Sequence, residues 1–548
     1  MPAIFGLAPE RRRDAAEREI ILQVEKKPAD AAPSKGVLGW IERTGNKLPD
    51  PAFLFLYLIG GLVVVSVVAD LLGYSAPHPT EKGEDGAPVI INATSLFSAD
   101  NIRRLWVDMP TTFTHFHPLG YVLVVMLGAG VAERTGLFAA AMRSAVRGAP
   151  KFLLTPMVAL VAMMGNLAAD AAYVVLIPLS AVLYAAAGRH PIAGITAAFA
   201  GVSGGFSANL LPGQLDALLF GITEAAAELI VPGWNANIAG NWYFIAAMLV
   251  VFLPVIWFVT DRIIEPKLGK FIPESDAAKQ AAAGDTPLSA GEKKGLAYAG
   301  IALVAVVILW AFFTLGPGTP LIDETAVGPG QLTPFFRSLV AGFFVLFLAA
   351  GWAYGAAAGS IKGHRDVVRM MTASMADLGY YLILAFFAAH FVAMFGWSNL
   401  GLIFAVQGAH AIETSGLPMP ALLALLVILT AGVNLFIGSA SAKWALLAPV
   451  MVPMLMLLGV SPEATTAAYR VGDGATNIIT PLMVYFPLIL TFCQRWKADF
   501  GIGSLAAAML PYSIWILISG LILTFVWIAL GLPLGPGAPV RYEMPAAG

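Results

Sequence analysis

Apolar residues in this chain come in long runs rather than in alternation, and the runs have the roughly 20-residue length a helix needs to cross a bilayer. They cover 53–72, 114–133, 241–261, 295–315, 336–357, 377–396 and 503–530. Two further runs, 192–215 and 463–493, are interrupted by Gly, Ser, Thr, Asn and Pro, and each reads as a broken span. Two longer stretches, 150–187 and 418–457, hold small polar residues at their middles and prolines in their second arms (Pro178; Pro449 and Pro453). Each reads as a re-entrant hairpin that enters the bilayer and returns to the same side. The pattern predicts an all-α polytopic membrane protein of about nine transmembrane helices plus two re-entrant helical hairpins.

The interruptions recur. Met164-Gly-Asn-Leu-Ala-Ala-Asp170 aligns with Ile437-Gly-Ser-Ala-Ser-Ala-Lys443, and Ala197–Asn209 aligns with Ala467–Asn477 after a two-residue slip. Paired Gly-interrupted segments in two halves of a chain mark a secondary transporter built from repeats. Backbone that leaves the helix at membrane depth must line a cavity or be buried in protein, so the breaks point to a binding site. Short amphipathic stretches at 137–147 and 398–413 precede the two hairpins and read as helices in the interface plane. Lys and Arg gather in the N-terminal tail, 133–151, 261–294, 362–369 and 495–497, whereas 73–113, 216–240 and 316–335 are mostly acidic or neutral and read as outer loops. The positive-inside rule then places the N-terminus in the cytoplasm and, after nine crossings, the C-terminus outside. On that count the halves are inverted. The expected organisation is a cytoplasmic tail over 1–48, a first half over 49–261, a cytoplasmic linker over 262–294, a second half over 295–534 and a tail over 535–548.

Composition sharpens this reading mainly by exclusion. Of 548 residues, 58% are hydrophobic and 12% charged, and the net charge of -2 leaves no basis for nucleic-acid binding. The single cysteine, Cys493, rules out an internal disulfide or a Cys-ligated zinc site. There is no Walker A, HExxH or GxSxG motif, so neither ATP drive nor hydrolysis is expected, and the protein does not read as an enzyme.

Ionisable groups inside spans cost about 2.5–3.5 kcal/mol each, so each needs a reason. Asp473 lies between Gly472 and Gly474, which would loosen the helix and turn carbonyls toward an ion. Its carboxylate, with Asn434, Asn477, Ser439, Ser441 and Thr476, supplies the oxygens of a hard monovalent cation site, with Na+ as the expected coupling ion and H+ the alternative. A competing reading pairs Asp473 with Arg470 at i+3 spacing. Arg470 is the candidate grip for an anionic substrate, because its guanidinium matches a carboxylate with two parallel bonds. Trp444 offers a flat face for an aromatic ring, or serves as an interfacial anchor. Lys443 would add a second positive charge, or snorkel to the surface. In the first half, Asn166, Asp170, Ser203, Ser207 and Asn209 occupy the equivalent places and suggest a second cation site; Asp216 belongs either to the site or to the outer loop. His115 and His117 read as capping or interfacial residues, and His390 as a helix–helix hydrogen bond or a proton relay.

At Gly438-Ser-Ala-Ser-Ala-Lys-Trp444, Ala467-Ala-Tyr-Arg-Val-Gly-Asp473, Thr476-Asn-Ile-Ile-Thr-Pro481 and Gly201-Val-Ser-Gly-Gly-Phe-Ser-Ala-Asn209 the chain closely resembles the AbgT family of p-aminobenzoyl-glutamate transporters. The likeness runs from about residue 40 to 540. It implies a homodimer in the inner membrane, with inverted-repeat elevator-type architecture, and ion-coupled movement of p-aminobenzoyl-glutamate or export of sulfonamide antimetabolites. The family's functional positions carry over onto Asp216, Asn434, Ser441, Trp444, Pro462, Arg470, Asp473 and Pro481. Lys443 is a departure, because the family carries an uncharged glutamine there, and it leaves the coupling ion and substrate selectivity open. The inverted hairpins alone would also allow a sodium-coupled dicarboxylate symporter, and re-entrant segments occur in ion channels.

Overall fold

The structure is a computed structural model and describes residues 49–544 except 83–86, 148–149, 169–171, 270, 272–286, 317, 326–330, 481 and 484. The tail over 1–48, Asp170 and Pro481 therefore lie outside the described residues.

Helix follows helix wherever the apolar runs predicted one. In chain order these are α1 (Pro51–Leu71), α2 (Ala99–Val107), α3 (Met109–Thr114), α4 (His117–Arg134), α5 (Leu137–Arg147), α6 (Leu154–Met164), α7 (Ile177–Ala186), α8 (Pro191–Phe199), α9 (Gln214–Ala227) and α10 (Trp242–Phe258). The second half holds α11 (Ala290–Thr314), α12 (Thr333–Ala358), α13 (His364–Asp377), α14 (Gly379–Trp397), α15 (Leu400–Thr414), α16 (Met419–Asn434), α17 (Ala440–Leu457), α18 (Pro462–Asn477), α19 (Phe486–Gln494) and α20 (Ile502–Ala529).

Seven helices among the described residues are long and apolar enough to span a membrane: α1, α10 with its continuation to Leu268, α11, α12, α14, α17 and α20. The run at 114–133 appears as α4, which bends by 64° into α5, so the amphipathic stretch at 137–147 does leave the line of the span. Both stretches expected to be hairpins are interrupted near the expected residues. The first breaks between α6 and α7 and resumes through the wide turn Ala172–Leu176; the second breaks between Asn434 and Ala440, where Ser439 accepts from the Ala442 N–H at 3.3 Å and starts α17.

Two expectations need correction. The chain is not wholly α: Ser75–Lys82 and Pro88–Asn92 form an antiparallel ribbon, with Ser75 opposite Asn92 and Pro77 opposite Ile90. The β-branched Val89-Ile90-Ile91 run, too short to span, pairs instead with Ser75–Lys82, and that partner strand lies on α15. And 214–227 is a buried helix, α9, rather than part of an outer loop. Its Leu215, Leu218, Leu219 and Ile222 recur at helical spacing, and it packs on α4 and α17.

α18 sits at the centre, and all sixteen of its residues are buried. It packs against α16, α17, α20 and α9. A second group, α4, α11 and α12, is drawn together by small residues: a Cβ on Gly351 would come within 2.7 Å of the Ala132 backbone, and one on Gly128 within 2.4 Å of the Phe344 carbonyl. Outward, Ile301, Val304, Ile308 and Phe312 of α11 are more than half exposed, as suits a helix whose solvent is lipid.

The glycines beside Asp473 do something other than loosen the helix, which runs unbroken through 473 and ends only at Asn477. They let other backbone come close. A Cβ at Gly472 would lie 2.2 Å from the Val427 carbonyl oxygen of α16, and one at Gly474 would lie 2.7 Å from that of Gly204. Gly472→Ala is therefore expected to destabilise the protein by about 1–3 kcal/mol through overpacking, whereas Gly432→Ala, with nothing within 4 Å, should be neutral. Thermal unfolding in detergent compares the two. Equal melting temperatures would show that α16 and α18 do not need this approach.

Candidate functional site

The charged residues of the second half meet partners other than those their spacing suggests. Arg470, one turn before Asp473 on α18, does not pair with it. Its Nη2 donates instead to Asp216 Oδ1 at 2.7 Å across the chain, and its guanidinium lies over the Phe220 ring, 5.8 Å from its centroid. Asp216 is in place because the Leu211-Pro-Gly213 break starts α9 two residues before it. Its Oδ2 accepts from the Gly213 N–H at 2.7 Å, so the carboxylate both caps the helix and faces the positive end of the helix dipole. Arg470 Nε, buried, has no hydrogen-bond partner among the described residues, and neither do Ser207 Oγ and Gln214 Oε1. A polar group buried without a partner costs about 1–3 kcal/mol, so each of these atoms retains capacity for a further hydrogen bond.

Asp473 pairs with Lys443. The lysine does not snorkel; its side chain is fully buried, and its ammonium touches Asp473 Oδ1 and Asn434 Oδ1. Asn434 is held in turn: its Nδ2 donates to the Asp473 carbonyl at 2.6 Å, to Thr476 Oγ1 at 2.9 Å and to Asn477 Oδ1 at 2.9 Å. Thr476 Oγ1 donates to the Ala431 carbonyl at 2.9 Å, and Asn477 Nδ2 reaches the Ser203 carbonyl at 3.5 Å. The predicted oxygen cluster of Asp473, Asn434, Thr476 and Asn477 is thus assembled, at the end of α16 and along α18. As arranged it does not fit a sodium ion, because Asn434 Oδ1 and Asp473 Oδ1 already hold the Lys443 ammonium, which leaves Asp473 Oδ2 as the carboxylate oxygen without a partner among the described residues.

The remaining candidates divide. Trp444, fully buried, packs against Tyr469 with ring centroids 4.4 Å apart and planes tilted by 31°, and donates from Nε1 to Thr223 Oγ1 at 2.9 Å, so it is no interfacial anchor. Thr223 also bonds Thr466, at 2.9 Å, and Tyr469 donates to the Ala440 carbonyl at 2.5 Å. Thr223, Thr466 and Tyr469 are not among the residues the sequence marks; Thr223, a hydroxyl directly after the apolar run Leu218–Ile222, carries the signal that would mark it, whereas Thr466 and Tyr469 sit among the other polar residues of α18 and carry none. Ser439 and Ser441 bond one another at 3.2 Å at the head of α17. Pro462 opens α18 at a position where its missing N–H costs nothing.

In the first half, Asn166 donates to the Met163 carbonyl at 2.9 Å, and Asn209 accepts from the Leu211 N–H at 3.5 Å. Both bonds are local, and no described bond joins either residue to the Asp473 cluster. Ser203 does approach the second half, with its Oγ 3.0 Å from Met483 Sδ. The two breaks therefore meet at Ser203-Gly204 and Gly474–Asn477. His390 is buried with Nδ1 2.6 Å from the Phe386 carbonyl of its own helix, and His115 bonds within its own turn.

Comparison with known proteins is consistent along the whole chain. Residues 36–542 match the AbgT putative transporter family. The chain is 36% identical over 500 residues, 91% of its length, to the p-aminobenzoyl-glutamate transport protein of Escherichia coli (strain K12), covering 96% of that protein. Among solved structures, the YdaH transporter of Alcanivorax borkumensis superposes with a TM-score of 0.82 at 42% identity, over 89% of this chain and 100% of that one. MtrF of Neisseria gonorrhoeae, described as illuminating a class of antimetabolite efflux pumps, superposes with a TM-score of 0.85 at 42% identity, over 92% of this chain and 100% of that one.

Proposed function

Because the chain belongs to the AbgT family of membrane transporters, we propose that it moves p-aminobenzoyl-glutamate or chemically related antimetabolites across the inner membrane, driven by a cation gradient. It is a multi-pass membrane protein and not an enzyme. The observation that carries the substrate reading is the pairing, in one buried cluster, of Arg470 with an orphaned Nε and Trp444 packed at a tilt against its neighbour Tyr469. An aromatic ring bearing carboxylates asks for a guanidinium that accepts a second anion and for a flat apolar surface beside it. The Escherichia coli relative supports p-aminobenzoyl-glutamate itself, and the Neisseria pump supports antimetabolites as cargo.

The wider architecture belongs to the same proposal. Nine crossings, with α6–α7 and α16–α17 as hairpins entering from opposite faces, place the N-terminus in the cytoplasm and the C-terminus in the periplasm. The halves are inverted repeats, and the protein works as a homodimer. A proton is the candidate coupling ion at the Asp473 cluster, and sodium, which that cluster as arranged does not fit, would have to bind elsewhere.

The deciding assay is flux of labelled p-aminobenzoyl-glutamate in proteoliposomes, with sodium and proton gradients imposed separately. Flux that follows an imposed cation gradient, competes with unlabelled sulfonamide and is absent from empty liposomes is the expected result. Flux indifferent to both gradients would remove the coupling. Single-channel currents in a planar bilayer would replace the carrier with a channel.

A further inference from the structure

We propose that the ammonium of Lys443 is a tethered cation that takes the place of a sodium ion at Asp473 and Asn434, making this site independent of sodium. The inference rests on reading that cluster as the cation site of a carrier, and it concerns which cation fills it.

Three observations converge. Lys443, Asp473 and Asn434 are each fully buried. The ammonium contacts one oxygen from each of the other two, the Asp473 carboxylate and the Asn434 amide. The amide orientation is fixed independently, since Asn434 Nδ2 faces three acceptors, the Asp473 carbonyl, Thr476 Oγ1 and Asn477 Oδ1, and a reversed amide would set its oxygen against them while aiming its NH2 at the ammonium. The site is thus built around a positive charge at one point, and the chain itself supplies that charge.

Charge accounting points the same way. An unpaired carboxylate in this interior would be prohibitively costly. With Lys443 present the pair is neutral without any ion from solution. With an uncharged residue of similar length in its place, the carboxylate of Asp473 and the amide oxygen of Asn434 would be left facing an unfilled position, which a monovalent cation from solution could neutralise. Lys443 is therefore the residue that determines ion specificity at this site, and its replacement should convert a sodium-indifferent site into a sodium-binding one.

The full-length protein, purified in detergent, is to be heated in sodium chloride and in choline chloride of equal ionic strength. Wild type should melt at the same temperature in both. Lys443→Gln should melt about 2 °C or more higher in sodium, and Lys443→Gln combined with Asp473→Asn should lose that difference. Lys443→Ser carries the same expectation and stands in should the glutamine protein fail to fold. Stabilisation of wild type by sodium would overturn the proposal, and so would a folded Lys443→Gln or Lys443→Ser protein that ignores sodium. In proteoliposomes, wild-type flux should be unchanged when choline replaces sodium, and Lys443→Gln flux should become sodium-dependent. Absence of p-aminobenzoyl-glutamate flux in every protein would sink the substrate reading while the melting data still judge the tethered cation.

Discussion

Asp473→Asn is expected to destabilise the folded protein by about 3–5 kcal/mol, because it leaves a fully buried ammonium without its counter-charge. Transport should be abolished as well. The informative partner is the double variant that adds Lys443→Gln. Removing both charges together replaces a buried ion pair with two neutral amides, and such replacements are often close to neutral in stability. The double variant should recover most of what the single one lost, as read by thermal or denaturant unfolding in detergent. Recovery of fold without recovery of coupled transport would separate the structural part of the pair from its part in function. If the single and double variants prove equally unstable, the two side chains are not energetically coupled and the pairing seen here is incidental. Asn434→Ala, which removes the second acceptor of the ammonium and the donor to Thr476 and Asn477, should lie between wild type and Asp473→Asn in stability and should also abolish coupled transport.

The second large effect is expected at Arg470. Arg470→Lys keeps the charge but replaces a planar fork with a point donor, so it should weaken binding of p-aminobenzoyl-glutamate by about tenfold or more, at 1.4 kcal/mol per decade. Because Arg470 also holds Asp216, loss of affinity alone would not show that it grips substrate. Two comparisons resolve this. Binding of an analogue lacking one carboxylate should be much less affected by Arg470→Lys than binding of the full ligand, and equal losses would assign Arg470 to the fold. Asp216→Asn leaves the guanidinium in place with its partner neutralised. A further drop in affinity there would show that Asp216 positions Arg470, whereas tighter binding would show that the aspartate competes with the substrate for it.

The spans were legible in the sequence because lipid-facing helices must be apolar along their whole length, and a run such as 295–315 admits no other reading. Helix breaks were legible for a related reason: Gly, Ser, Asn and Pro clustered inside an apolar run have no place in lipid. Where sequence reasoning failed, the cause lay in partners distant along the chain. Arg470 and Asp473 stand at i+3, and local spacing suggested a pair, yet each found a better-placed partner, Asp216 from 254 residues away and Lys443 from the start of α17. Lys443 looked like a residue reaching for the surface because nothing near it in sequence showed the carboxylate waiting inside. Gly472 and Gly474 suggested a loosened helix, but what they permit is contact with backbone from α16 and from the first-half break, which no single segment reveals. The helix α9 was hidden by its acidic residues, Asp216 and Glu224, which outweighed its apolar spacing when the segment was read as a loop.

The two buried pairs also have an electrical consequence. Lys443 with Asp473, and Arg470 with Asp216, amount to two positive and two negative charges sealed in one cluster. Their sum is zero. A membrane potential does about 2.3 kcal/mol of work on each elementary charge per 100 mV, but only on charge that is not cancelled locally. If this cluster crosses the field during transport, these four groups add nothing to the current. The voltage then acts only on the cargo and on the coupling ion that travels with it, and a substrate with two carboxylates contributes an outward drive under an inside-negative potential and an inward penalty.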